Sequence, residues 1–189
     1  MSWPPDPLVP ADPALSDGTV VVDALTDGDA ADIVEACNDP EIARWLPVPV
    51  PYTHDDAVFF LGLCAEQQAA GRQLQHAVRR TDTGRFAGLL GTRFLRDRTI
   101  EFGYWTAPGS RREGLMTRAL RLLTAHAFAT WGVHRIEILT AEENTASSVV
   151  AGRAGFRPEG TRRNAMTLSR SDEPVAAEVH SLIPTDPMP

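Results

Sequence analysis

The stretch Trp105-Thr-Ala-Pro-Gly-Ser-Arg-Arg-Glu-Gly-Leu-Met-Thr117 decides how the rest of this chain is read. Ala107-Pro-Gly-Ser110 breaks the alternating run before it, and an apolar stripe at helical spacing begins just after it, at Leu115. The stretch therefore predicts a strand feeding a glycine-containing loop, which feeds a helix N-terminus. Such a terminus presents N–H groups without partners and a partial positive charge, so phosphate fits there. Gly114 lets a backbone approach an anion closely. Thr117 adds a hydroxyl, and Arg111 and Arg112 add charge-assisted donors. The same residues also describe an ordinary strand-to-helix loop with surface arginines.

Outward from this junction the pattern stays legible. Upstream, Thr99–Thr106 alternates, with Ile100, Phe102 and Tyr104 on one face and Glu101, Gly103 and Trp105 on the other. Phe86–Leu95 and the run through Leu74, His76 and Val78 precede it. The short turns Thr81–Gly84 and Asp97-Arg98 predict three antiparallel strands. Downstream, a helix is expected from Leu115 to Trp131 with Met116, Leu120, Leu123, Ala127 and Trp131 inward, ended by Gly132. A strand over Arg135–Leu139 and a helix over Asn144–Ala154 follow, and Ala177–Ile183 reads as a final strand. Thr161–Pro174 gives no clear pattern.

Nearer the start, Gly18–Leu25 is β-branched and reads as a strand. Thr26-Asp-Gly-Asp29 opens a helix through Cys37, and Pro40–Trp45 adds a short one. Pro47-Val-Pro-Val-Pro51 makes a stiff loop, and Thr53 caps a helix that ends near Gly71. Residues 1–17 hold five prolines and are expected to be an arm or a loosely docked extension. Residues 18–184 are expected to form a single domain, and 185–189 a tail. The element order implies an α/β (α+β) layer fold, a mixed, mostly antiparallel sheet with helices on both faces.

Composition narrows the function. The net charge of −7 argues against nucleic-acid binding. All 18 basic residues are arginine, which excludes a Schiff-base or P-loop lysine. Cys37 and Cys64 are too few for a disulfide framework, and no His/Cys spacing suggests a metal site. No apolar run is long enough for a membrane span, and the first residues lack the basic and apolar regions of a signal peptide. A cytoplasmic protein is the expectation.

Four segments carry a specific resemblance. Arg111-Arg-Glu-Gly-Leu-Met116 resembles the (Gln/Arg)-x-x-Gly-x-(Gly/Ala) pyrophosphate loop of the GNAT N-acetyltransferase superfamily. Ile100-Glu-Phe-Gly-Tyr-Trp105, Val133-His-Arg-Ile-Glu-Ile138, and Asn144-Thr-Ala-Ser-Ser148 with Ala154-Gly-Phe-Arg-Pro-Glu-Gly160 resemble its ribosomal-protein alanine N-acetyltransferase branch. They occur in the family's order, and the resemblance covers about residues 18–160. Met116 and Arg112 depart from the small residues common at their positions.

The resemblance implies a sheet splayed at an acyl-CoA site and direct acetyl transfer from acetyl-CoA to a primary amine, on a peptide or protein N-terminus or a small molecule. It also allows another acyl-CoA such as succinyl-CoA, a non-catalytic acyl-CoA sensor, and a homodimer. Cofactor contacts are expected from Tyr104, Trp105, Thr106, Arg111, Arg112, Glu113, Gly114, Leu115, Met116, Thr117, Asn144 and Ser147. No metal and no membrane partner are implied.

The amine must be neutral to attack, although a lysine amine starts near pKa ~10 and an α-amine near ~8. Glu101 is the expected base, working directly or through water. It also reads as a strand carboxylate in a structural ion pair. Glu137 and Glu142 are lesser candidates. Ser147 matches the position that reprotonates the departing thiolate, with Ser148 as a substitute. Asn144 caps its helix, contacts the cofactor, or both. Trp45, Tyr52 and Glu101 are expected at the acceptor.

Overall fold

The computed structural model describes residues 3–11, 14–168 and 174–187. Its strands are β1 (Leu15–Ser16), β2 (Val20–Ala24), β3 (Gln73–Arg80), β4 (Phe86–Phe94), β5 (Thr99–Thr106), β6 (Arg135–Ala141), β7 (Arg157–Thr167) and β8 (Pro174–Leu182). They form one sheet in the order β1-β2-β3-β4-β5-β6-β8-β7, antiparallel except for β5 with β6. That parallel pair needs a crossover, supplied by α4 (Leu115–His126) and a wider π-helical turn over Ala127–Trp131. Gly132, left-handed at φ 64°, ends it as the sequence predicts.

Two apolar layers hold the sheet. On one face Leu74, Val78, Leu90, Ile100, Phe102, Ile136 and Ile138 pack under Leu115, Met116, Leu120 and Leu123 of α4. On the other, Ala77, Phe86 and Leu89 meet α1 (Ala30–Cys37), α2 (Pro40–Trp45) and α3 (His54–Ala69). Phe102, Leu74, Ile100 and Leu120 lose essentially all their exposure, each such burial contributing roughly 1.5–3 kcal/mol.

The feature that positions the site is where β5 and β6 stop pairing. They are in register from Thr99 with Arg135 to Phe102 with Ile138. Beyond that point Gly103–Thr106 continues against β4 alone, and Leu139–Ala141 against β8 alone. The sheet opens into a cleft there, and α4 and α5 (Thr145–Arg153) begin beside it.

Two regions add to the sequence reading. The unreadable stretch after Gly160 contains most of β7, whose last residue is Thr167; residues 169–173 lie outside the described residues. β7 is exposed along nearly its whole length, and its register with β8 shifts between Pro158 and Gly160 and between Arg162 and Met166. Neither face is consistently buried, so no alternation was there to find. Ahead of Gly18, the Trp3 indole donates to the Leu95 carbonyl at 2.6 Å, Leu8 is buried in the core, and β1 extends the sheet. Part of this segment, Met1, Ser2, Asp12 and Pro13, and of the tail, Met188 and Pro189, lies outside the described residues. Among the described residues, no helix is long and apolar enough to cross a membrane.

Candidate active site

The helix start has the form the sequence implied. Gly114 precedes α4 in the left-handed region at φ 76°, where a side chain would be strained. A Cβ placed there meets no atom within 4 Å, so the corner opens to solvent. Among the described residues no side chain caps the helix, which leaves its first-turn amides bare. Leu115 and Met116 are 3% exposed and packed in the core, so they offer the corner only their backbone. Thr117 is half-buried beside them.

The charged residues of the loop are partly engaged. The Arg111 guanidinium donates to Asp39 Oδ1 at 2.6 Å. Burial would raise Asp39, but the Arg111 contact and the N–H of Ile42 outweigh it and hold the carboxyl below its usual range. Glu113 pairs with Arg80. Arg112, exposed with φ 65°, has no ion-pair partner among the described residues and is the free cation of the loop.

Across the cleft, Asn144 Oδ1 accepts from the Ser147 N–H at 3.1 Å, so the capping role of Asn144 is realised. The Tyr104 hydroxyl donates to the Ser147 carbonyl at 2.8 Å and accepts from Ser147 Oγ at 3.0 Å. Burial pushes the Tyr104 phenol up to about 12. Ser148 is held elsewhere: its hydroxyl donates to Glu178 at 2.6 Å and lies 3.0 Å from Thr140 Oγ1.

The opposite face of β5 carries Glu101 and Trp105 into a cavity of about 650 Å³. Tyr52 reaches it from the end of the proline loop, and Leu46, Pro47 and Val48 wall it. Glu101 Oε2 accepts from Arg93 at 2.7 Å, and Arg93 lines the same cavity. The ion-pair reading of Glu101 is thus realised alongside its position at the cleft. Trp45 is not among the lining residues; it lies under the Arg44 guanidinium, 4.5 Å from its ring centroid. Glu137 stands beside Glu101 in register but is 8% exposed and paired with Arg135 and Arg162. Glu142 does not line the cavity, nor do His54, His76 and His134.

Thr106 lies in the strand end that parts from β6, half-buried and opposite Gly88. Sequence reasoning missed the partners. Asp39 carried a helix-cap signal, and nothing local tied it to Arg111. Phe59 and Phe60 of α3 line the cavity, as do Gly91 and Gln75. Pairing the strand hairpin residue by residue would have set Gly91 opposite Gly103.

The comparisons with known proteins agree with this geometry. An N-acetyltransferase of Bacillus subtilis, YoaA, is 24% identical over 173 residues, covering 90% of this chain and 97% of its own length. Mycobacterium smegmatis RimJ, solved with CoA-disulfide, superposes with a TM-score of 0.77 at 22% identity over 87% of this chain and 82% of its own. The ribosomal-protein-S5-alanine acetyltransferase of Vibrio fischeri gives 0.76 at 18% identity over 93% and 99%. The family model for the acetyltransferase (GNAT) domain matches residues 20–157. Since that match runs from β2 through the divergent strands to the start of β7, taking in both helix starts beside the cleft, the chain belongs to the GNAT acetyltransferase family.

Proposed function

We propose that this chain moves an acetyl group from acetyl-CoA to a primary amine, on a peptide or protein N-terminus or on a small molecule, by direct attack in a ternary complex. The observation that supports it most is the parting of β5 and β6 just past Phe102 and Ile138, beside the uncapped start of α4. The open corner at Gly114 fits a diphosphate on the amides of Leu115, Met116 and Thr117, with Arg112 beside it. The strand edge at Tyr104–Thr106 has main-chain groups no longer used by β6, and these fit an amide-bearing arm. Bound acetyl-CoA supplies the activated thioester.

The residues then divide the proton work. Glu101, facing the acceptor cavity, takes the ammonium proton through water at its Oε1, which has no partner among the described residues. Main-chain N–H groups at the β5 edge stabilise the carbonyl oxygen as charge develops. Ser147, fixed by Tyr104 and the Asn144 cap, stands on the other side of the cleft to return a proton to the departing sulfur. The free thiols Cys37 and Cys64 fit a reducing, cytoplasmic setting.

Calorimetry with acetyl-CoA tests the cradle. Binding is expected, and Gly114→Glu should abolish it by directing a carboxylate at the diphosphate. Unchanged affinity in that variant removes the assignment. Thiol release on adding an amine tests the transfer itself.

A further inference from the structure

We infer that the acceptor is a primary amine carried on a flat apolar body, which lies on a floor formed by Gly91 and Gly103 and turns its amino group toward Glu101. This rests on the proposed reading of that face as the acceptor side. Gly91 and Gly103 are direct partners on adjacent strands, so both turn a bare Cα to the same side of the sheet. The next pair up on this face is Leu89 with Trp105, and the next pair down is Arg93 with Glu101. The two missing side chains therefore leave a trough between an apolar step and a carboxylate, open over Gly103 and floored over Gly91 by the Gln75 amide.

The two glycines differ in what they permit. A Cβ on Gly103 would meet nothing within 4 Å, so it would project into empty cavity. One on Gly91 would come within 2.4 Å of Gln75 Oε1, so Gly91 also lets Gln75 lie against the floor. Above the trough stand Phe59, Phe60 and Leu63 of α3. Phe59 is 74% and Leu63 41% exposed, each at the mouth of the cavity. Apolar side chains gathered around a concave, half-open site gain free energy when an apolar ligand covers them.

Charge selects the rest of the ligand. The lining holds two carboxylates, Asp56 and Glu101, against one cation, Arg93, already committed to Glu101. A single ammonium is welcome there. A polyamine or aminoglycoside would instead press further ammonium and hydroxyl groups against phenyl rings, which costs free energy without compensating hydrogen bonds. About 650 Å³ is far more than an amino group needs and lies within the range of sites for drug-sized ligands.

The test is calorimetry on CoA-saturated protein with four probes: 2-phenylethylamine, a tetrapeptide beginning with phenylalanine, one beginning with serine, and spermidine. At least one of the first two should bind tenfold or more tightly than both of the others, and whichever of the two binds better shows whether the body belongs to a small amine or to a peptide's first residue. Gly103→Val should fill the trough and weaken that binding tenfold or more with the melting temperature unchanged. Phe59→Ser, on the exposed rim, gives the same readout if the valine does not fold. Spermidine or the serine peptide binding as well, or unaltered affinity in a folded variant, overturns the inference. Thiol release is measured in parallel. A bound apolar amine that is never acetylated defeats the proposed transfer, whereas a polar amine that is acetylated preferentially defeats this inference alone.

Discussion

Arg111 and Asp39 meet at 2.6 Å across 72 residues of chain, joining the loop before Gly114 to the start of α2. Asp39 is also the N-cap of that helix, accepting from the N–H groups of Glu41 and Ile42 at 3.1 Å. The proline loop that walls the cavity follows α2 directly. One carboxylate therefore serves the cap and restrains a guanidinium beside the open corner at Gly114.

Separating those duties gives the first prediction. Asp39→Asn keeps the cap and removes the charge, so stability should change little and acetyl-CoA affinity should rise a few fold as Arg111 turns to the diphosphate. Asp39→Ala removes the cap as well and should cost about 1 kcal/mol by urea melts. Calorimetry showing weaker binding in Asp39→Asn would mean that Arg111 acts only as a structural tie.

The pair Tyr104 and Ser147 predicts coupling. Ser147→Ala should lower kcat by 10²-fold or so if the serine returns the proton. Tyr104→Phe removes its hydrogen-bond partner, so the double variant should fall little further than the worse single one. Because burial lifts the Tyr104 phenol to about 12, it stays protonated to pH 10. The alkaline limb of the rate profile should therefore keep its midpoint in Tyr104→Phe, and a shift there would give the phenol a titrating role.

How far the sequence reaches can be judged at these same residues. The faces of β5 were readable, since Ile100, Phe102 and Tyr104 alternate with Glu101, Gly103 and Trp105 and one side must be buried. Helix ends carried their own chemistry in Thr53, Asn144 and Gly132. β7 was not readable, because exposed bulged backbone has no period. The cavity was not readable because it joins the proline loop, α3 and three strands, a relationship set by tertiary packing. Trp45 shows the limit from the other side: an aromatic in the right segment still turned to a neighbouring arginine.

Glu101 and Arg93 yield the third prediction. Glu101→Gln should reduce turnover by about 10²–10⁴-fold while leaving acetyl-CoA binding intact, as expected for a lost base. Arg93 is half-exposed, so its ion pair contributes at most about 1 kcal/mol to stability. Arg93→Gln should therefore fold normally and lose no more than about tenfold in kcat. Equal losses in the two variants would make the pair, and not the carboxylate, the functional unit.

The last prediction concerns acid. His76 lies on β3 between Leu74 and Val78, on the face packed under α4, and is wholly buried. Burial pushes its pKa down to about 4, with His126 nearby acting in the same direction. In the unfolded chain the ring titrates near ~6.5. Between those values the unfolded state binds the extra proton, so stability must rise with pH across that window and fall as pH drops from above 6.5 toward 4. The full drop from this one group is about 3 kcal/mol. His76→Met removes the titration while retaining a side chain of similar bulk. Urea melts from pH 7.5 to 4.5 should show a shallower stability slope in the variant, by up to one proton at the acid end. Parallel slopes would mean that the wild-type histidine charges in place, and that water reaches the sheet beneath α4.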